Sequence, residues 1–403
     1  MLRLAWRNVW RNLRRSLINA AALGFGLAAI MFGQSLIKSL QAQLVEKSTG
    51  SITGHLQVQR KDVEENKFPD KYISSPDAAL ALLEKDPRVK VAAKRIHLTG
   101  LVSSPEASVG ALIAAVEPEK ERLVTSMSGY MEQGEYLSGH PKGLVMGVKL
   151  ASRLGVRLGE KVVVMAQAAD GSMGAEALRV VGIHRTGSES FDGQIIWIPL
   201  AVAQEMLGRP GQANHLVARL HDLEDAEAVR ADLAAALPPE LRALAWRDID
   251  HEIVGVQAFQ DAILRVVLLV VFAIVALGIL NTQLMSLFER VREFGVLMAI
   301  GARPRWVMRL ILVESAILGL CGAAFGVALG AALIAHFGRV GLHLAVGDAF
   351  SYFLPFPSVI YLKPSWASHA EACAAVLLTS LLAAIPPALR AQRLKPAEAL
   401  RHV

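Results

Sequence analysis

VVLLVVFAIVALGILNTQLMSLF, residues 266–288, runs for 23 positions without a charged side chain. A helical residue rises ~1.5 Å and the hydrocarbon core of a bilayer is ~30 Å thick, so ~20 consecutive apolar residues suffice to cross it. Three further stretches meet that length: Ser16–Ile37 with 22 residues, Ser315–Gly338 with 24 and Ala372–Leu389 with 18. The last holds Pro386 and Pro387 and is expected to end near them, its start reaching back toward Trp366. In a 403-residue chain that is 53% hydrophobic, these stretches predict an α-helical membrane protein with four transmembrane helices. The first stretch follows a basic N-terminus, as a signal peptide would. It is longer than a usual signal core, and Gln34, Ser35 and Lys38 make no small-residue cleavage site, so a retained helix is expected.

The flanks set the orientation, because lysine and arginine collect in short cytoplasmic segments. Residues 1–15 carry Arg3, Arg7, Arg11, Arg14 and Arg15 without an acid. The 289–314 connection carries Arg290, Arg292, Arg303, Arg305 and Arg309, and the 390–403 tail carries Arg390, Arg393, Lys395 and Arg401. The 339–371 loop has only Arg339 and Lys363. Both termini and the central connection are therefore expected in the cytoplasm, and residues 38–265 outside it. That region holds 26 basic and 30 acidic residues, against a formal charge of +6 for the whole chain.

Residues 38–265 alternate between strand and helix patterns. Period-two alternation marks His55–Gln59, Val89–Ser103, Val109–Val116, Lys161–Gln167, Leu178–Thr186, Gln194–Ile198 and Leu216–Leu220 as strands. Helices are predicted from Ser75 and Pro76 to Lys85, over Leu144–Leu154 and Leu200–Leu207, and from Asp222 to Leu237 ahead of Pro238. Strand, acid-capped helix and strand recur at 55–103 and 215–250. The two βαβ halves suggest one split α+β sandwich, with residues 117–211 inserted as a second lobe. Neither Lys38–Val45 nor Glu252–Arg265 carries a strong turn signal, so the first two membrane helices are expected to run on past the bilayer.

Several chemistries are excluded. Cys321 and Cys373 both lie in apolar runs, which leaves no disulfide framework and no thiolate metal site. The basic residues form no single patch, those outside residues 38–265 sitting at the ends of apolar segments, and aromatic content is 6%, so a nucleic-acid surface is not expected. Gly134 to Gly139 has the spacing of a phosphate loop, but His140 and Pro141 replace its lysine and hydroxyl residue, and a turn is the better reading. Gly24, Gly26 and Ala29 match a dinucleotide fingerprint without a preceding strand, which points to helix packing. His251 beside Glu252 lacks metal-site spacing, and Asp248 with Asp250 reads as solvated surface. No catalytic, cofactor or metal residue is assigned.

Within the spans, Gly322, Gly326 and Gly330 recur every four residues and form a packing seam, within one protomer or between two. Gln34, Asn281 and Gln283 are candidates either for a substrate cavity or for hydrogen bonds between helices.

The 289–314 connection reads Glu289, Arg290, Val291, Arg292, Glu293, Phe294, Gly295, Val296, Leu297, Met298, Ala299, Ile300, Gly301, Ala302, with Glu314 ahead of the next span. This resembles the ER-x-RE-[IF]-G-x-x-x-A-x-GA signature of the FtsX/MacB superfamily of ABC transporter permeases. Ala5–Asn8 with Arg11, Arg14, Arg15 and Ser16 resembles the family's amphipathic leading helix, and Ala391–Arg401 its usual ending. Residues 145–161 and 180–199 are similar to the periplasmic domain of LolC/LolE and MacB proteins, and the likeness is closest to the LolC/LolE branch. MacB proteins carry a fused ATPase domain that is not seen here, and FtsX proteins a smaller external domain.

The resemblance implies an inner-membrane permease that extracts lipoproteins from the outer leaflet. Its implied partners are a cytoplasmic LolD-like ATPase dimer, a second permease (LolC/LolE-like or a second copy) and a periplasmic lipoprotein carrier. One acyl chain resists leaving the bilayer by on the order of 10 kcal/mol, at ~0.8 kcal/mol per CH₂, so such cargo needs an apolar cavity and a power source. The cavity is expected between the first two membrane helices of paired permeases. The power input is expected at Glu289–Ala302, as a short amphipathic helix with Arg292 and Glu293 on its polar side, opposite Val296 and Ile300, and with Phe294 or Leu297 at the apolar edge. A MacB-like efflux permease and an FtsX-like scaffold controlling a cell-wall hydrolase are the alternatives.

Overall fold

The computed structural model describes residues 1–11, 13–63, 71–168, 171–343, 359–395 and 399. It divides into two compact units, one holding Gln43–Gly255 and the other Met1–Ala42 with most of the chain after Val256.

The first unit is α+β. Strands β1 (Leu56–Arg60), β2 (Val89–Ser103), β3 (Ser108–Val116), β4 (Met131–Gly134), β5 (Gly143–Gly147), β6 (Lys161–Gln167), β7 (Met173–His184), β8 (Ile195–Pro199), β9 (His215–Leu220) and β10 (Leu241–Ala245) join one sheet. The order β10-β1-β9-β2 is antiparallel throughout, with Leu56 opposite both Ala245 and Ala218. Strands from the two βαβ halves thus alternate in space, as in a split βαβ fold. Helices Pro76–Lys85 and Ala226–Ala236 lie against them, and Leu80, Leu83, Val229 and Leu233 share a core with Leu56, Val58, Leu216 and Leu220. Those strand residues alternate along β1 and β9, which puts them on one face.

The far half of β2 pairs with β3 and also with β6. Pairings β3 to β8, β8 to β5, β5 to β7 and β7 to β6 then complete a ring. Ile96, Ile113, Leu144, Met146, Val164, Val180 and Ile196 belong to the core of this region. Each member of the ring thus pairs with a neighbour on both sides over part of its length.

Leu144–Leu154, expected as one helix, is instead β5 followed by a helix over Val148–Leu154. Leu144, Val145 and Met146 are all fully buried in a strand flanked by β7 and β8. A short run that is apolar on both faces carries no period to separate strand from helix. Ser75 stands at the N-cap of its helix, but its hydroxyl caps nothing; Pro76 alone marks the start. Asp250 is not solvated surface. It accepts hydrogen bonds from Ser48 (2.6 Å) and Thr53 (3.1 Å), and burial raises its pKa against the pull of those two bonds. Asp248 caps the backbone N–H of Ala245.

Arg95 and Glu121 form an ion pair with neither side chain exposed, and Arg95 also donates to the carbonyl of Ile52. Beside it the His97 and His215 rings lie 4.7 Å apart, tilted by 50°, while the Asn214 side chain bridges to the backbone of His97.

The second unit is helical, with long helices Leu13–Ser48, His251–Glu289, Pro304–Val340 and Trp366–Gln392, all apolar and long enough to cross a membrane. The first two outrun their apolar stretches, and near residue 40 Asp261 accepts from Lys38 and Gln41. The fourth does not end at Pro386 and Pro387 but continues to Gln392. Ala383, Ala384, Pro387, Ala388 and Ala391 are buried on one side of it, and packing of this kind holds a membrane helix through prolines that would break one in water.

The glycine seam joins the third helix to the first. A Cβ at Gly326 would stand 2.7 Å from the Gly24 carbonyl and 2.8 Å from Leu27 Cβ, and one at Gly322 would stand 2.7 Å from Leu23 Cβ. The Gly24 fingerprint is the other half of this backbone contact. In the 339–371 loop, Leu342–His343 pairs with Val359–Ile360; residues 344–358 and the tail residues 396–398 and 400–403, including Arg401, lie outside the described residues.

Candidate functional site

The signature segment folds as a nine-residue helix, Val291–Ala299, between the second and third long helices. Arg290 precedes it in a non-helical conformation, and Gly301 with φ +104° turns the chain after it. Val291, Phe294, Gly295 and Met298 are its buried face. Phe294 and Met298 pack with Leu287, Val307, Leu310, Ile311 and Ala5, with Leu297 at the margin.

Polar contacts lock the same helix to its neighbours. Arg290 donates to Glu314 at 2.9 Å and to Glu293 at 3.2 Å, and its guanidinium sits 4.8 Å from the Phe294 ring centre. Glu314 also accepts from Asn8 at 2.7 Å, and Glu293 from Arg11 at 2.6 Å. Burial would raise the Glu293 pKa, but the hydrogen bonds from Arg11 and Arg290 prevail and hold it below the usual range. The Arg290–Glu314 pair is buried on both sides, so losing one partner costs ~3–5 kcal/mol. The Arg11–Glu293 pair is about half exposed and worth at most ~1 kcal/mol.

The outer face is different. Val296 is 45% and Ile300 77% exposed, and Arg292 projects beside them at the i, i+4, i+8 spacing of one helical stripe. The sequence reading put Arg292 on the opposite side and Phe294 at the apolar edge. In the structure Phe294 is the inward anchor, because Leu287, Val307 and Ile311 cover it, and Arg292 shares the exposed stripe. Gly301 is exposed and Ala302 half-buried, while Glu289 ends the second helix on its exposed side.

Gln34, Asn281 and Gln283 are not brought into one cavity. Gln283 donates to Ser315 at 2.9 Å between the second and third helices, Asn281 is exposed, and Gln34 is buried with its Oε1 unpaired among the described residues. Gln283 lines a cavity of about 30 Å³ together with Asn8, Ser16, Asn19, Arg290 and Glu314, room for about one water. Sequence reasoning missed the pairing of Asn8 with Glu314 across 306 residues of separation. The one available signal was an acid at the head of an otherwise apolar span.

Residues 16–236 match the family described as MacB-like periplasmic core domain, and residues 265–396 match the FtsX-like permease C-terminal family. The chain belongs to the FtsX/MacB superfamily of permeases. The lipoprotein-releasing system transmembrane protein LolC of Xylella fastidiosa is 26% identical over 336 residues, 80% of each chain. LolE of Haemophilus influenzae is 22% identical over 95% of this chain and 93% of its own. The macrolide export ATP-binding/permease protein MacB of Shewanella oneidensis is 25% identical over 57% of this chain and 34% of its own length. This permease is accordingly an ABC transporter subunit of the inner membrane with a MacB-like periplasmic domain, and its family works with an ATPase.

Proposed function

We propose that this permease is a transmembrane subunit of a lipoprotein-releasing transporter. In this reading both termini and the Val291–Ala299 helix are cytoplasmic, and the α+β unit is periplasmic and works as two lobes, the interleaved βαβ layer and the strand ring. A separate LolD-like ATPase dimer holds ATP and magnesium, a second permease subunit completes the membrane part, and a periplasmic carrier takes the product. This chain contributes no catalytic step.

The observation that carries the proposal is the two-faced connecting helix. Its inner face is fixed by Phe294, Met298 and the Arg290–Glu314 pair, and its outer face leaves Val296 and Ile300 uncovered beside Arg292. A helix held rigidly from behind transmits a push made on its front. Along the second long helix, Val266, Leu269, Val270, Ile274 and Leu277 are likewise exposed, an apolar face suited to acyl chains or a second permease. Kinship with LolC and LolE along most of the chain favours lipoprotein cargo over the macrolide export named for MacB.

The test is reconstitution of the permease with its ATPase and companion subunit in proteoliposomes loaded with a fluorescent triacylated lipoprotein. ATP should move the label into the soluble fraction when a carrier is present. Retention of the label together with ATP-dependent export of a macrolide would overturn the assignment in favour of the MacB-like one.

A further inference from the structure

The N-terminal helix, Leu2–Arg11, has three faces. Ala5 and Val9 are buried, and Ala5 joins the core that holds the connecting helix. Leu2, Trp6 and Trp10, at i, i+4 and i+8, form an exposed apolar stripe, and the two tryptophan rings lie 5.6 Å apart. Arg3 and Arg7 form an exposed basic stripe next to it, continued by Arg14 at the head of the first long helix. Among the described residues none of these three arginines pairs with a carboxylate, whereas Arg11 does, with Glu293.

Tryptophan beside arginine, on a helix that leads into a membrane span, is the composition of a segment lying in the plane of a lipid interface. Indole rings settle at the acyl boundary, and cationic side chains reach the headgroups. The face has no acid of its own, so its charge complements an anionic headgroup layer and not a zwitterionic one.

We propose that the Leu2–Arg11 helix, together with Arg14, binds the anionic phospholipid headgroups of the adjoining leaflet, with Trp6 and Trp10 at the acyl boundary and Arg3, Arg7 and Arg14 on the phosphates. The bound helix steadies the connecting helix through Arg11 to Glu293 and Asn8 to Glu314. Lipid composition then sets how firmly Val291–Ala299 is held.

Both halves are measurable on the full-length permease alone in nanodiscs, so they stand or fall independently of the cargo and of the ATPase. The first readout is quenching of tryptophan fluorescence by brominated phosphatidylglycerol or brominated phosphatidylcholine at equal mole fraction. The Trp6→Phe/Trp10→Phe variant is subtracted to isolate the two indoles. Quenching should favour the anionic lipid at least about fivefold, the ratio expected from a single arginine engaged at the surface. The ratio should fall to near one in Arg3→Gln/Arg7→Gln/Arg14→Gln, with quenching by phosphatidylcholine retained. Should the triple variant fail to fold, Arg7→Gln alone should lower the ratio. Equal quenching of wild type by both lipids overturns the proposal. So does quenching by neither, which would mean that protein covers the stripe.

The second readout is amide exchange in residues 291–299. Phosphatidylglycerol should slow it about two- to fivefold, and Arg11→Gln should remove that response while leaving the quenching preference intact. Exchange indifferent to lipid in the wild type would overturn the link.

Discussion

Replacing Val296 and Ile300 with aspartate should detach the ATPase without disturbing the permease. Full burial of a valine or isoleucine side chain is worth ~1.5–3 kcal/mol. Ile300 keeps 77% and Val296 45% of its surface available to a partner, so covering both in a cleft contributes about 3 kcal/mol. Two carboxylates forced into the same contact without partners add several kcal/mol of desolvation. Together these terms weaken docking by more than about a thousandfold, since each ~1.4 kcal/mol is tenfold. In the permease alone the two sites face outward, and the expected change in stability is under ~1 kcal/mol. Phe294→Ala is the opposite control: the ring is 1% exposed, and its loss should cost the fold ~3–5 kcal/mol. The assay is co-purification of the ATPase and stimulated ATP hydrolysis in nanodiscs, with the melting temperature of the permease recorded in parallel. Normal docking and turnover by the double variant would refute the coupling role of this helix.

Four other outcomes are expected. Gly326→Ala should lower the melting temperature in detergent by an amount matching ~1–3 kcal/mol, because its Cβ meets the backbone of Gly24, while Gly278→Ala, with nothing within 4 Å, should leave it unchanged or higher. Glu121→Ala strands the buried Arg95 charge and should cost ~3–5 kcal/mol in a denaturant titration, most of which Arg95→Met with Glu121→Leu should recover. Burial, aided by the Arg95 charge, pushes His215 down from 6.5 to about 3, so the unfolded chain binds the extra proton between those values and stability falls with pH. Lowering the pH from 7.5 to 5 should cost about 2 kcal/mol at this site, and His215→Gln should flatten the acid limb of the stability profile. Reporters placed after Arg15 or within 303–305 should read cytoplasmic and one near Gly171 periplasmic, and a cytoplasmic signal at Gly171 would reverse the proposed orientation.

The four membrane helices were legible in the sequence because bilayer thickness turns hydropathy into length. β6 was legible to its expected bounds because one face is wet and its burial alternates from residue to residue. β5 was not, because Leu144, Val145 and Met146 are buried on both faces. Pro386 and Pro387 misled for a related reason, since local propensity for a helix end yields to packing along the whole span.

At the candidate site, the signature residues and the existence of a short helix followed from sequence. Its sidedness did not. Nine residues fit more than one choice of inner face, and the choice is made by what lies behind them: Phe294 turns inward because Leu287, Val307 and Ile311 leave a place for it, and Arg290 follows because Glu314 waits there. The partners of the glycine seam and the meeting of Asn8 with Glu314 were decided in the same way. Composition and periodicity fix which residues leave water; which of them meet across hundreds of positions depends on how the helices pack, and only the tertiary structure holds that.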